Sequence, residues 1–315
     1  MQLLEFEKPI AELEAKIDAL AKSNNNNQDI KNEIDKLQSK TNDLMKKVYS
    51  SLTDWQVIQL ARHPERPYFI DLLNKIFDDF QQLHGDRAFA DDKAVIGGIA
   101  KLNDKPVMVI GQEKGRKTKD RIHHNFGMMH PEGYRKALRL MKLAEKFSMP
   151  VITFIDTPGA YPGIQAEERG QSEAIARNLL EMSQLDVPII CVVIGEGCSG
   201  GALGIGVGDK LLMLEYSYFA TISPEGCASI LWKTAERASE AAEIMGITAD
   251  KLMSLDIIDE IIKEPLGGAH RNIDKAAQNI KETVVRILSD LSSKPVAQLK
   301  DERHDKLMSF GAFQE

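Results

Sequence analysis

The chain has 315 residues, 43% apolar and 28% charged, which is enough for two domains or for one large α/β domain with an appendage, and for a core that needs no cross-links. Forty basic residues against 47 acidic ones leave a net charge of −7, which argues against a surface built as a whole for nucleic acid. Three cysteines without a C-x-x-C pair (Cys191, Cys198 and Cys227) exclude a four-cysteine zinc ribbon and a disulfide framework.

All 22 glycines lie between Gly85 and Gly311, and seven of them fall within 195–208, so two architectures are expected in one chain. Glu5 and Glu7 stand where a signal peptide would carry Lys or Arg, and apolar runs such as 189–194 are too short to span a bilayer. No membrane segment is expected, and a cytoplasmic protein with reduced thiols is. Residues 9–48 read as a helical hairpin. Ile10, Leu13, Ile17 and Leu20 space one arm; Ile30, Ile34, Leu37, Thr41, Leu44 and Val48 space the other. Asn24–Asn27 between them favours a turn. The hairpin is either a docking or dimerisation element or an appendage packed on its own core. Residues 53–63 and 69–83 continue as helix up to His84-Gly85.

From residue 95 the pattern changes. Residues 107–111 read as a buried strand, and 134–147 present an apolar helix face at 134, 137, 138, 141 and 144. A unit then appears twice, 38 residues apart. A helix is broken at an x-Pro pair (Met149-Pro150, Val187-Pro188), an apolar strand follows (151–156, 189–194), and a glycine-containing loop ends it (157–163, 195–201). Helix 167–184 lies between the copies, which implies a parallel, buried α/β core. Strands are expected at 211–215 and 218–222, then mostly helix, with a terminal helix at 274–291. The expected organisation is helical hairpin and linker helices over 1–84, a core over 85–265 and a helical segment over 266–315.

Ligands in such folds sit at the C-terminal ends of strands, where loops expose N–H groups. Loop 195–201 fits three patterns. Gly195-x-Gly197-x-x-Gly200 has dinucleotide spacing, but Gly204, Gly206 and Gly208 interrupt the helix that should follow. Gly197-Cys198-Ser199-Gly200-Gly201 fits a nucleophile elbow, with Asp256 or Asp259 and then His270 in the chain order of a serine hydrolase; alternatively, Ser199 only caps a short helix. Thirdly, paired glycines at a helix start form an oxyanion hole of backbone alone.

Several long stretches bear on the choice: FEKPIAELEAKID (6–18), HGDRAFADDKAVIGGIA (84–100), NFGMMHPEGYRKALRLMKLAEKF (125–147), FIDTPGAYPG (154–163), AEERGQSEAIA (166–176), VIGEGCSGGALGIGVGDK (193–210), ISPEGCASILWK (222–233) and EPLGGAHRN (264–272). In this order they closely resemble the alpha subunits of the carboxyltransferase component of bacterial acetyl-CoA carboxylase, over nearly the whole chain. One departure is Cys198, where that family commonly has Gly.

The resemblance implies an α/β crotonase-like (ClpP/crotonase) fold, a superhelix of β-β-α units behind an N-terminal helical extension. It implies transfer of carboxyl from carboxybiotin on a separate carrier protein to acetyl-CoA, giving malonyl-CoA for fatty-acid synthesis. The donors to the ureido oxygen are then Gly200 and Gly201, with a second contribution from Gly159 and Ala160. Implied partners are a zinc-ribbon beta subunit, the biotin carboxyl carrier protein and biotin carboxylase, in an alpha2beta2 carboxyltransferase. A related biotin-dependent acyl-CoA carboxylase or decarboxylase, or a serine hydrolase using Ser199, is the alternative.

No G-x-x-x-x-G-K-[ST] motif for a nucleotide phosphate is present. His123, His124 and His130 lack a metal-ligand spacing, and no metal is expected. Segment 113–124 carries Lys114, Arg116, Lys117, Lys119 and Arg121, which meet CoA phosphates, an acidic carrier protein or solvent.

Overall fold

A computed structural model describes residues 3–23 and 28–311; the expected turn at Asn24–Asn27 lies outside them. Helices α1 (Lys8–Lys22) and α2 (Gln28–Tyr49) pair along their length. Only their base is anchored, in a cluster of Ile10, Met45, Tyr49 and Leu60. Further out, Leu13, Ile17, Ile30 and Ile34 are half-buried, as a two-helix arm must leave them. Helix α3 (Asp54–Ala61) starts at a capping box in which Thr53 Oγ1 accepts from Gln56 N–H and Gln56 Oε1 accepts from Thr53 N–H. Helix α4 (Phe69–Ile76) turns its apolar face, with Phe69, Leu72, Leu73 and Ile76, onto the sheet.

The helix expected over 69–83 ends at Ile76. Asp78–Gln82 instead forms strand β1, antiparallel to β2 (Val95–Leu102). DDFQQ has no apolar helical face, and the free edge of β2 offers its backbone partners. Strand β2, whose Gly97-Gly98 dilutes the strand pattern, pairs antiparallel with β3 (Lys105–Gln112) across a two-residue turn. Both turn residues, Asn103 and Asp104, have positive φ (48° and 61°), which suits the right-handed twist of a hairpin.

Beyond that hairpin the chain winds parallel strands. Helices α5 (Thr118–His123) and α6 (Pro131–Lys146) lead to β4 (Val151–Thr157); α7 (Ile164–Glu168) and α8 (Gln171–Gln184) lead to β5 (Ile189–Cys198). The single helix expected over 167–184 is split at Gly170, which is left-handed. Next come α9 (Ser199–Leu203), β6 (Lys210–Leu214), β7 (Tyr218–Ala220), α10 (Pro224–Trp232), α11 (Ala238–Met245), α12 (Ala249–Ser254), β8 (Glu260–Ile262), α13 (Ile273–Ser292) and α14 (Val296–Ser309).

The sheet order is β1-β2-β3-β4-β5-β6-β8. Strand β5 changes neighbour along its length: its first half pairs with β6, and residues Glu196–Cys198 pair with β7. Every residue of β4 and β5 is buried, because helices cover both faces. Helices α6 and α8 pack one face, and α4 and α13 the other. Helix α14 is locked by Arg303, whose buried guanidinium bonds both oxygens of Asp209 and the carbonyls of Met182, Leu185 and Val187.

Candidate active site

Strands β4 and β5 end side by side, and the two glycine loops leave from those ends. At Gly201 a Cβ would lie 2.4 Å from the Gly159 carbonyl carbon and 2.6 Å from Ala160 N. The two backbones are therefore packed face to face with no room for a methyl group. Gly159 has φ +150°, a conformation other residues rarely adopt. The sequence copies 38 residues apart thus meet in space at the residues expected to donate.

Ser199 has φ +56° and is exposed; α9 begins there. Among the described residues, no acceptor takes the N–H of Ala160, Gly200 or Gly201. The Gly159 N–H is used, donating to Thr157 Oγ1 at 3.2 Å, so on that loop Ala160 offers the donor and Gly159 the close approach. Beneath the loops, the buried Gln112 donates from Nε2 to the Gly201 carbonyl and accepts at Oε1 from Asp156 N–H.

A slot of about 340 Å³ opens beside Ser199 and Gly200, walled by Leu203, Phe219, Met245, Ile247 and Leu255. Among the described residues no His, Asp or Glu lines it. Ser199 therefore has no triad in place. His270 is buried elsewhere, stacked on His63 at 4.1 Å with Glu7 3.5 Å away. Asp259 is held by Lys210 and Lys306. The hydrolase order read from the sequence is not assembled, because its members fold onto different parts of the sheet.

On the other flank lies an ion network that the sequence reading missed. Lys114 Nζ lies 2.7 Å from Asp156 and 2.6 Å from Glu196; Arg62 bonds Glu196 at 2.6 Å and Glu225 at 2.6 Å. Tyr218 donates to Glu196 at 2.8 Å. Burial alone would raise the Glu196 carboxyl; Lys114 and Arg62 outweigh it and hold it down at about 2. Burial also opposes the Lys114 charge, and its two carboxylates keep the ammonium above the ordinary range. The only hint in the sequence was the position of Lys114, Asp156 and Glu196 towards the ends of β3, β4 and β5; Arg62, Tyr218 and Glu225 come from α3, β7 and α10.

Cys198 sits against this network. Its Sγ donates to Tyr218 Oη at 3.4 Å, and burial pushes the thiol up to about 11. A neutral, enclosed thiol fills space and is not a nucleophile at neutral pH.

The basic segment divides. Arg116 is exposed but already partnered: it bonds the carbonyls of Pro64 and Arg66, pairs with Asp71 and stacks on Tyr68 at 4.7 Å. Lys117 precedes α5 with its backbone N–H on Asp120, and Lys119 is exposed. Arg121 lines a cleft of about 260 Å³ with Arg62, Tyr68, Lys114, Phe126 and Pro158, next to the Gly159 loop. His123 and His124 stack edge-on, away from any ligand set. Among the described residues the atoms of Glu7, His63 and His270 come within 4.8 Å of one another. Their near-parallel imidazole planes do not converge on one point, and Arg271 lies 3.6 Å from Glu7, so the cluster suits an ion pair better than a cation.

The fold defines a class first. The transcarboxylase 12S structure with methylmalonyl-coenzyme A and methylmalonic acid bound matches 69% of this chain and 43% of that one, with a TM-score of 0.55 at 20% identity. The beta subunit of P. aeruginosa geranyl-CoA carboxylase matches 80% and 46%, with a TM-score of 0.56 at 15% identity. The chain has the crotonase-like fold of carboxyltransferases. More particularly, the family described as acetyl co-enzyme A carboxylase carboxyltransferase-like matches residues 3–311. The acetyl-coenzyme A carboxylase carboxyl transferase subunit alpha of Francisella philomiragia is 68% identical over 315 residues, all of both chains. The chain belongs to the family of acetyl-CoA carboxylase carboxyltransferase alpha subunits.

Proposed function

We propose that the chain forms the biotin half of a split carboxyltransferase that makes malonyl-CoA from acetyl-CoA. One observation carries this reading: Gly201 is packed backbone to backbone on Gly159–Ala160, beside an uncharged slot. Carboxybiotin supplies the carboxyl group and, once that has left, a ureido nitrogen able to take the α-proton of acetyl-CoA. What remains for this chain is to stabilise negative charge on the ureido oxygen. The N–H groups of Ala160, Gly200 and Gly201 are the donors in this scheme. They need no proton transfer of their own and cost no reorganisation at the moment of reaction. The apolar walls at Leu203, Phe219 and Leu255 suit the hydrocarbon of biotin and exclude water, which strengthens each donor. Lys114, Glu196 and Asp156 brace the strand ends; Arg121, Lys117 and Lys119 remain for CoA phosphate or an acidic carrier, whereas Arg116 is already paired.

The thioester enolate needs a second set of donors, which the proposal assigns to a zinc-ribbon beta subunit in an alpha2beta2 assembly. Ile230 and Leu231 on α10 are exposed and offer apolar surface for it. The biotin carboxyl carrier protein and biotin carboxylase complete the set. The core over 85–265 carries the site, with 1–84, which adds the edge strand β1 to the sheet, and the helical 266–315 as flanks. Among the described residues no helix is long and apolar enough to cross a membrane, and the three cysteines are free. Free thiols fit a reducing compartment, so the assembly is assigned to the cytoplasm. The test is malonyl-CoA formation from carboxybiotinylated carrier and acetyl-CoA. The isolated chain should show almost none, and adding the beta subunit should restore it. Full turnover by the chain alone would reject the split site.

A further inference from the structure

We infer that Gln112 is a positioning residue that sets the distance between the two donor loops, an inference that rests on the donor placement proposed above. Gln112 ends β3 and is wholly buried. Its carboxamide is used at both ends, on different elements: Nε2 donates to the Gly201 carbonyl in the first turn of α9 at 2.7 Å, and Oε1 accepts from Asp156 N–H at the end of β4 at 3.0 Å. Nε2 also faces the Met129 sulfur at 3.4 Å.

The clamp sits where the sheet stops doing this job. Strands β4 and β5 pair regularly up to Ile155 and Val193, and the register then shifts before Thr157 meets Gly197. Past that point regular pairing no longer spaces the chains. Among the described residues, no other side chain bonds both the end of β4 and the first turn of α9. Fixing the Gly201 carbonyl fixes the rotation of that residue against Gly159–Ala160. The role demands a donor and an acceptor on one short neutral group. A carboxylate has no donor, and a thioether has neither strength.

Two variants test this in the assembled enzyme. Gln112→Met keeps the length and removes the bonds. It should lower kcat by about 10²-fold, the scale of a 1 Å misplacement, and leave the KM for acetyl-CoA within about twofold. Gln112→Glu should recover as pH falls. The protonated acid again donates to Gly201 and accepts from Asp156, and burial raises its pKa toward the assay range. Its kcat relative to wild type should therefore climb several-fold from about pH 8 to about pH 6. Hydrogen exchange of the free chain gives a readout independent of turnover. Gln112→Met should speed exchange over both 157–161 and 199–203. If wild type makes no malonyl-CoA, the functional reading fails, and the exchange result still decides the clamp. Near-wild-type kcat in a folded Gln112→Met, a flat pH ratio for Gln112→Glu, or unchanged exchange in both segments would overturn it.

Discussion

The contact between the two loops makes one substitution unusually informative. Gly201→Ala adds a single methyl group, and the structure puts that carbon 2.4 Å from Gly159 C and 2.6 Å from Ala160 N. Comfortable contact between such atoms needs about 3.5 Å. Both neighbours are backbone, so no side chain can swing aside, and the loops must part by about 1 Å. A displacement of that size costs on the order of 10²-fold in rate, and loss of one oxyanion donor costs about 10²–10³. At about 1.4 kcal/mol per tenfold, that is about 3–4 kcal/mol of transition-state stabilisation. The same methyl at position 200 meets only the flexible end of Ile175, with Cδ1 at 3.3 Å. Gly200→Ala should therefore cost a few-fold at most. Gly201→Val should fall further than Gly201→Ala, since its branched Cβ also restricts the backbone. The assay is malonyl-CoA formation by the assembled enzyme, with the KM for acetyl-CoA and a thermal melt recorded beside it. Gly201→Ala within about threefold of wild type, or Gly200→Ala as the worse of the pair, would refute the reasoning.

Ser199→Ala should keep most carboxyl transfer, because the hydroxyl has no base within its slot; covalent labelling of Ser199 by a fluorophosphonate would contradict this. Gly159→Ala should lose stability by about 1–3 kcal/mol, from its backbone conformation rather than from crowding, since no atom lies within 4 Å of the added Cβ; an unchanged melting temperature would count against that. Removing residues 1–48 should leave the sheet folded with a lower melting temperature, because Arg271 loses Glu7 and Glu14; loss of all strand signal by circular dichroism would show that the hairpin is part of the core. Burial raises the Glu7 carboxyl, but the neighbouring His270 and the hydrogen bonds from Leu4 N–H and Tyr49 Oη prevail and hold it at about 2, below its usual 4.5. A depressed carboxyl stabilises the fold above pH 4.5, and that stability, on the order of 3 kcal/mol, drains away between about pH 4.5 and 2. Glu196 titrates in the same window, so the measurement is the difference between wild type and Glu7→Gln, whose denaturation curves should converge as pH falls; parallel curves would exclude the Glu7 contribution.

Much of the fold could be read in the residues themselves. The x-Pro break, the six-residue apolar strand and the glycine loop are local devices, each set by side-chain size and allowed φ within a few residues, so β4, β5 and their loops stand out in the sequence. Helix α13 followed from its apolar period for the same reason. The long matching stretches carried the family and with it the carboxyltransferase chemistry. Where local signals were neutral, the reading went astray: DDFQQ became an edge strand because β2 lay beside it, and the two glycines of β2 hid a strand whose partners lie on both sides. Arg116 looks like Arg121 in the sequence, yet one is bound into the fold by Asp71 and Tyr68 and the other faces a cleft. The serine, aspartate and histidine followed each other in hydrolase order, but His270 pairs with Glu7, at the far end of the chain. Sequence periodicity reports which way a side chain points along its own element. It does not report which element arrives opposite. The meeting of Gly201 with Gly159–Ala160, the span of Gln112 beneath them and the Lys114–Glu196–Arg62 network join residues tens to more than a hundred positions apart, and only the packing of the parallel strands brings them within a hydrogen bond of one another.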